Sequence, residues 1–111
     1  MTINEYQALA LTTLNPELDN KEVLLNGVMG LCGESGEAID IVKKWLMQGH
    51  ELDKAHLAKE LGDIAWYLAE TAHAIDYPLE DILQANIDKL KARYPHGFSA
   101  ENSIHRAEND Q

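Results

Sequence analysis

Two pairs of carboxylates stand out in this sequence, Glu34 with Glu37 and Glu60 with Asp63. Within each pair the spacing is i, i+3, which puts both side chains on one face of a helix. If the two helices are neighbours, four anions gather at one place, and they repel unless a cation sits among them. Oxygen ligands of this kind select hard divalent ions such as Mg²⁺, Mn²⁺ or Ca²⁺. Mg²⁺ that keeps several waters and meets a phosphate is the usual enzymatic arrangement. One Glu-x-x-Glu pair is a common solvated surface feature. Two pairs, each beside an apolar stripe, point to a metal.

The elements that must position them are helices. Thr2-Ile-Asn-Glu5 reads as a capping box that opens a first helix running to about Leu14. Asn15-Pro16 stops it, and Asp19-Asn-Lys-Glu22 opens a second, which stays periodic to about Gln48 with Gly49 as its stop. Asp53 caps a third, to about Ile75, and Pro78 fits the first turn of a fourth, to about Arg93. Residues 98–111 read as a polar tail with one helical turn after Ser99. The expected fold is all-α, an antiparallel four-helix bundle-like domain spanning residues 1–111, with its core in about 2–94.

On the second helix Leu24, Val28, Leu31, Cys32, Ile39, Val42 and Leu46 form one stripe, read as core. Glu34 and Glu37 flank it in a sector shared with Ile41 and Trp45. On the third, Leu57, Leu61, Ile64, Leu68, Ala72 and Ile75 form the stripe, flanked by Glu60 and Asp63, with Tyr67 in the same sector. Measured from the short turn after Gln48, the pairs lie at about 19 Å and about 13 Å at 1.5 Å per residue. Side-chain reach can absorb that offset. Trp66 points away from the stripe, which suggests a second buried face and hence an oligomer interface.

Bulk properties narrow the partners. The formal net charge of -10 leaves little Lys or Arg to neutralise a polyanion, so nucleic acid is excluded as a partner. A small phosphorylated molecule remains open if a metal bridges it to the carboxylates. No apolar run is long enough for a bilayer, no signal peptide is visible, and Cys32 is the only cysteine, all in keeping with a cytoplasmic protein. Gly27, Gly30, Gly33 and Gly36 recur inside a helix, where each costs about 1 kcal/mol against Ala. Either a ligand or a close-packed helix would need that space.

Three ordered blocks of this sequence resemble the MazG-like nucleotide pyrophosphohydrolases. They are Gly33 to Asp40 (GESGEAID), Lys59 to Tyr67 (KELGDIAWY), and Asn86 to Pro95 (NIDKLKARYP) followed by HGFS. The resemblance implies hydrolysis of a nucleoside triphosphate between its α and β phosphates, giving a monophosphate and pyrophosphate. It implies that Glu34, Glu37, Glu60 and Asp63 bind Mg²⁺, with Mn²⁺ a possible substitute. It also implies that Asn86 and Lys89 contact substrate and that chains assemble as homodimers or homotetramers.

Further candidates come from the residues themselves. Arg93 and Lys89 share a face of the fourth helix and could meet phosphate, or simply complement that helix's C-terminal dipole. Lys44 could neutralise phosphate or lie on the surface. Tyr67, one turn from Asp63, could line a nucleotide pocket or pack in the core. Relatives often read the base with an aromatic clamp, and Lys44 stands seven residues after Glu37, where some carry tryptophan. The competing function is a non-catalytic helical metal-binding or interaction module. A di-iron bundle would need two inward Glu-x-x-His motifs, and Glu70-x-x-His73 is the single match.

Overall fold

The computed structural model describes residues 1–106. Among them are five helices, α1 (Ile3–Leu11), α2 (Asn20–Gln48), α3 (Lys54–Ala74), α4 (Leu79–Arg93) and α5 (Ala100–Ile104), and no strand. The all-α expectation holds. None of the described helices is long and apolar enough to cross a membrane.

The helix ends lie where the cap chemistry puts them. Thr2 and Asp19 each form a reciprocal capping box, with Glu5 and Glu22 respectively. Gly49, at φ 74°, takes the left-handed conformation that ends α2. Asp53 accepts from the His56 backbone N–H at the start of α3, and Ser99 caps α5 as expected. The remainder of the polar tail, 107–111, lies outside the described residues. One end differs: α1 stops at Leu11, not near Leu14. The Thr12 and Thr13 hydroxyls donate to the Leu9 and Ala10 carbonyls at 2.6 and 2.8 Å, offering the backbone an alternative to another helical turn.

The chain divides into two compact units, Met1–Leu79 and Glu80–Gln111. In the first, α2 pairs with α3, and α1 packs on α3. The α2–α3 contacts run in opposite order: Asn20 Nδ2 donates to Ala74 O at 3.1 Å, Asn26 meets Glu70, Gly27 lies beside Thr71, and Gly30 beside Tyr67. These two helices are therefore antiparallel. Buried Gln7 of α1 donates to the carbonyls of Ala69 and Tyr77 at 3.2 and 3.4 Å and accepts from the Leu79 N–H at 2.9 Å. One amide thus ties α1 to α3 and to the turn that follows it. In the second unit, the Tyr94 and Phe98 rings lie 5.5 Å apart around a turn in which Gly97 has φ 91°.

The α2–α3 seam takes only part of the apolar stripe: Ala72 is buried, and Leu31, Val42, Leu57 and Ile64 are half-buried. Leu24, Val28, Ile39 and Leu46 of α2, and Leu61, Leu68 and Ile75 of α3, are exposed in the single chain. Cys32, read from sequence as a core residue, is exposed too. The seam also follows the sector of small and polar residues. A Cβ on Gly27 or Gly30 would collide with Thr71 or the Tyr67 ring, so glycine is what lets the two backbones approach. Glu70, with no exposed surface, accepts from Asn26 Nδ2 through both carboxylate oxygens at 3.0 and 2.9 Å.

Trp66 also departs from expectation. Its indole N–H donates to Ala10 O and Thr13 Oγ1, both at 2.9 Å. The second face of α3 is thus covered by α1 of the same chain, and Trp66 gives no reason to place an oligomer interface there.

Candidate metal centre

α2 and α3 bring Glu34, Glu37 and Glu60 together, one ligand oxygen from each lying within 4.8 Å of the others. Glu60 is buried, Glu34 half-buried and Glu37 exposed, so the cluster opens on one side to solvent. Asp63 lies one turn further along α3, outside this trio, and lines a cavity of about 320 Å³ with Glu34, Trp66 and Tyr67. On the Glu37 side a larger cavity, about 660 Å³, is lined among others by Gly33, Gly36, Lys44 and His56. No atom lies within 4 Å of a Cβ placed on Gly33 or Gly36. The four glycines therefore split: Gly27 and Gly30 serve close helix packing, while Gly33 and Gly36 leave open space.

The electrostatics are those of crowded carboxylates. Glu34 is pushed up to about 7, first by the hydrogen bond it shares with Glu60, then by desolvation and by the charges of Glu37, Glu60 and Asp63. Glu60 is held below the usual carboxylate range, chiefly by that same hydrogen bond, with Glu37 and His56 adding to it against desolvation. Desolvation, then the Glu34 charge, raises the Tyr67 phenol.

Two oxygens, Glu34 Oε2 and Glu60 Oε2, are buried without a hydrogen-bond partner among the described residues. An orphaned buried carboxylate oxygen is costly. A divalent cation with hard-oxygen preference would satisfy such oxygens, so the donor set fits a cation of that class.

A model of the MazG nucleotide pyrophosphohydrolase domain matches residues 24–98, from the start of the carboxylate helix to beyond α4. The chain belongs to the MazG nucleotide pyrophosphohydrolase family. It is similar to the Gene 37 protein of Mycobacterium phage L5, at 35% identity over 105 residues that cover 87% of this chain and 92% of that protein. No solved structure matches the chain at a significant level.

The remaining candidates of this MazG domain are distributed over both units. Tyr67 faces Gly30 and stands edge-on to Trp66, ring centroids 5.2 Å apart. Lys44 lines the larger cavity, but its ammonium is held by Asp40 at 3.0 Å, and Lys43 approaches the same carboxylate at 3.7 Å. Lys44 is therefore less available to a phosphate than its position suggests. Asn86 and Lys89 are exposed on α4, and half-buried Arg93 stacks its guanidinium 5.7 Å from the Tyr94 ring centre. His56, given no role by its sequence position alone, sits against Glu60 with Nε2 3.2 Å from Oε1. The signal was available: His56 is i, i+4 to Glu60, the spacing at which helical side chains meet.

Proposed function

We propose that this MazG domain is a Mg²⁺-dependent nucleoside triphosphate pyrophosphohydrolase. It would cleave the α–β anhydride of ribo- or deoxyribonucleoside triphosphates to the monophosphate and pyrophosphate, as a cytoplasmic nucleotide-pool enzyme. The observation that carries this is the pair of unpartnered buried oxygens of Glu34 and Glu60 beside Glu37, in a chain of a pyrophosphohydrolase family.

Glu34, Glu37 and Glu60 would hold the metal, and Asp63, one turn away, would complete the set from the Glu34 side. The ion, once bound, offsets negative charge on the phosphoryl oxygens and on leaving pyrophosphate. A water attacks a phosphorus of the α–β bridge in line. As its oxygen–phosphorus bond forms, the bridging phosphorus–oxygen bond breaks, and one of the cluster carboxylates takes the water's proton. Tyr67 and the adjoining Trp66 offer an aromatic wall on the Asp63 side, suited to a nucleobase. Asn86, Lys89 and Arg93 are assigned to the substrate, and Lys44 to the mouth of the larger cavity, its charge shared with Asp40.

Assembly as a homodimer or homotetramer belongs to the same reading. It is supported by the exposed apolar residues of α2 and α3, since contiguous apolar surface of this kind marks interaction sites.

The test is incubation of the purified chain with a panel of ribo- and deoxyribonucleoside triphosphates, with Mg²⁺ and with EDTA, followed by anion-exchange identification of products. Mg²⁺-dependent monophosphate and pyrophosphate are expected. Diphosphate and orthophosphate would overturn the bond assignment. Metal binding without turnover of any nucleotide would favour a non-catalytic metal-binding module.

A further inference from the structure

His56 lies outside the carboxylate quartet, yet its imidazole stands against the most buried member, Glu60. Nε2 stands 3.2 Å from Glu60 Oε1, and the other oxygen, Oε2, is buried with no partner among the described residues. Glu60 is 6% exposed, so its carboxylate has little access to water that could orient it. The His56 side chain is 55% exposed and borders the larger cavity. Its backbone is fixed in turn, because Asp53 accepts from the His56 N–H at 3.0 Å and so pins the first turn of α3.

We infer that His56 is a positioning residue for the metal centre: by engaging Glu60 Oε1 it fixes the carboxylate with Oε2 free toward the cation. This rests on the metal reading of the cluster. A carboxylate with one oxygen committed to an imidazole loses rotational freedom, and the remaining oxygen is presented in one direction. Groups that orient metal ligands in this way change affinity by about 10–100-fold when removed. Orientation requires a donor at this position and not an imidazole as such, since His56 need not itself touch the metal. A side chain that reaches Glu60 with an N–H should therefore replace it.

The test is Mn²⁺ binding to the full, EDTA-stripped chain, measured by calorimetry and by the electron paramagnetic resonance of free Mn²⁺. Thermal unfolding of each variant is recorded in EDTA. His56→Leu should weaken Mn²⁺ binding about 10–100-fold while unfolding at a temperature close to wild type. His56→Gln, whose amide can donate to Oε1, should stay within a few-fold of wild type. Unchanged affinity in His56→Leu would overturn the positioning role while leaving the metal centre standing. Equal losses in His56→Leu and His56→Gln would also overturn it, because the imidazole would then be acting as a ligand. Absence of Mn²⁺ binding by the wild-type chain would overturn the metal reading itself, and the role of His56 with it.

Discussion

Glu34 and Glu60 share a hydrogen bond and shift in opposite directions, so protonation should be visible in the stability of the metal-free chain. Glu34 is raised to about 7. Its contribution is fully present below the ordinary glutamate value near 4.5 and is lost as pH rises through about 7. Glu60 is lowered, so its contribution is present above the ordinary value and lost only as pH falls through its depressed one. Between pH 5 and 8 the Glu34 effect therefore acts without opposition from Glu60. Melting temperature in EDTA should fall across that window, and saturating Mg²⁺ should flatten the fall. A flat profile in EDTA would mean that Glu34 is not protonated in the empty cluster. In the same centre, Glu37→Gln should lower turnover by about 100-fold or more without lowering the melting temperature, since it removes one of several crowded anions.

At the level of elements, the α2–α3 seam is a close polar contact, and its stability should depend on residues that composition does not mark. Asn26 donates its amide to both carboxylate oxygens of fully buried Glu70. Asn26→Ala leaves that carboxylate without its amide and should cost about 2–3 kcal/mol in denaturant unfolding. Gly30→Ala drives a methyl into the Tyr67 ring and should cost about 1–3 kcal/mol. Gly36→Ala meets open space and removes a helix-weakening glycine, so it should stabilise by up to about 1 kcal/mol. If the larger cavity receives substrate, Gly36→Ala should also raise KM, which steady-state kinetics would show. Equal effects of the two alanines on stability would contradict the division between packing glycines and open ones.

For the molecule as a whole, the outward apolar residues make association the property to measure. Val28 and Leu61 are 47% and 57% exposed, and burying a leucine side chain is worth about 1.5–3 kcal/mol. Several such residues on one face favour association, and the proposed oligomer would bury them. Sedimentation velocity should show a dimer or larger species, and the double substitution Val28→Lys with Leu61→Lys should shift it toward monomer. A wild-type chain that stays monomeric at micromolar concentration would remove the oligomer from the proposed function.

Helix number and most helix ends were legible in the sequence, because caps are local chemistry. Thr2, Asp19, Asp53, Ser99 and Gly49 act within a few residues of themselves. The carboxylate pairs were legible for the same reason: i, i+3 spacing on a helix fixes a shared face whatever the surroundings. What the chain does with each face was a tertiary decision. Periodicity shows that Leu24, Val28 and Leu61 form a stripe, but it cannot say whether the stripe meets the chain's own helices or faces outward. Here Gly27, Gly30, Asn26 and Glu70 make the polar sector the closer fit, and much of the apolar one, Leu24, Val28 and Leu61 among it, is left outside. Trp66 shows the converse, a residue whose partner, the Ala10 carbonyl, lies 56 positions away in sequence and so outside any local pattern. The contact of His56 with Glu60 falls between these cases. Spacing allows it, and only the burial of Glu60 beside Glu34 makes the orientation of one carboxylate oxygen matter.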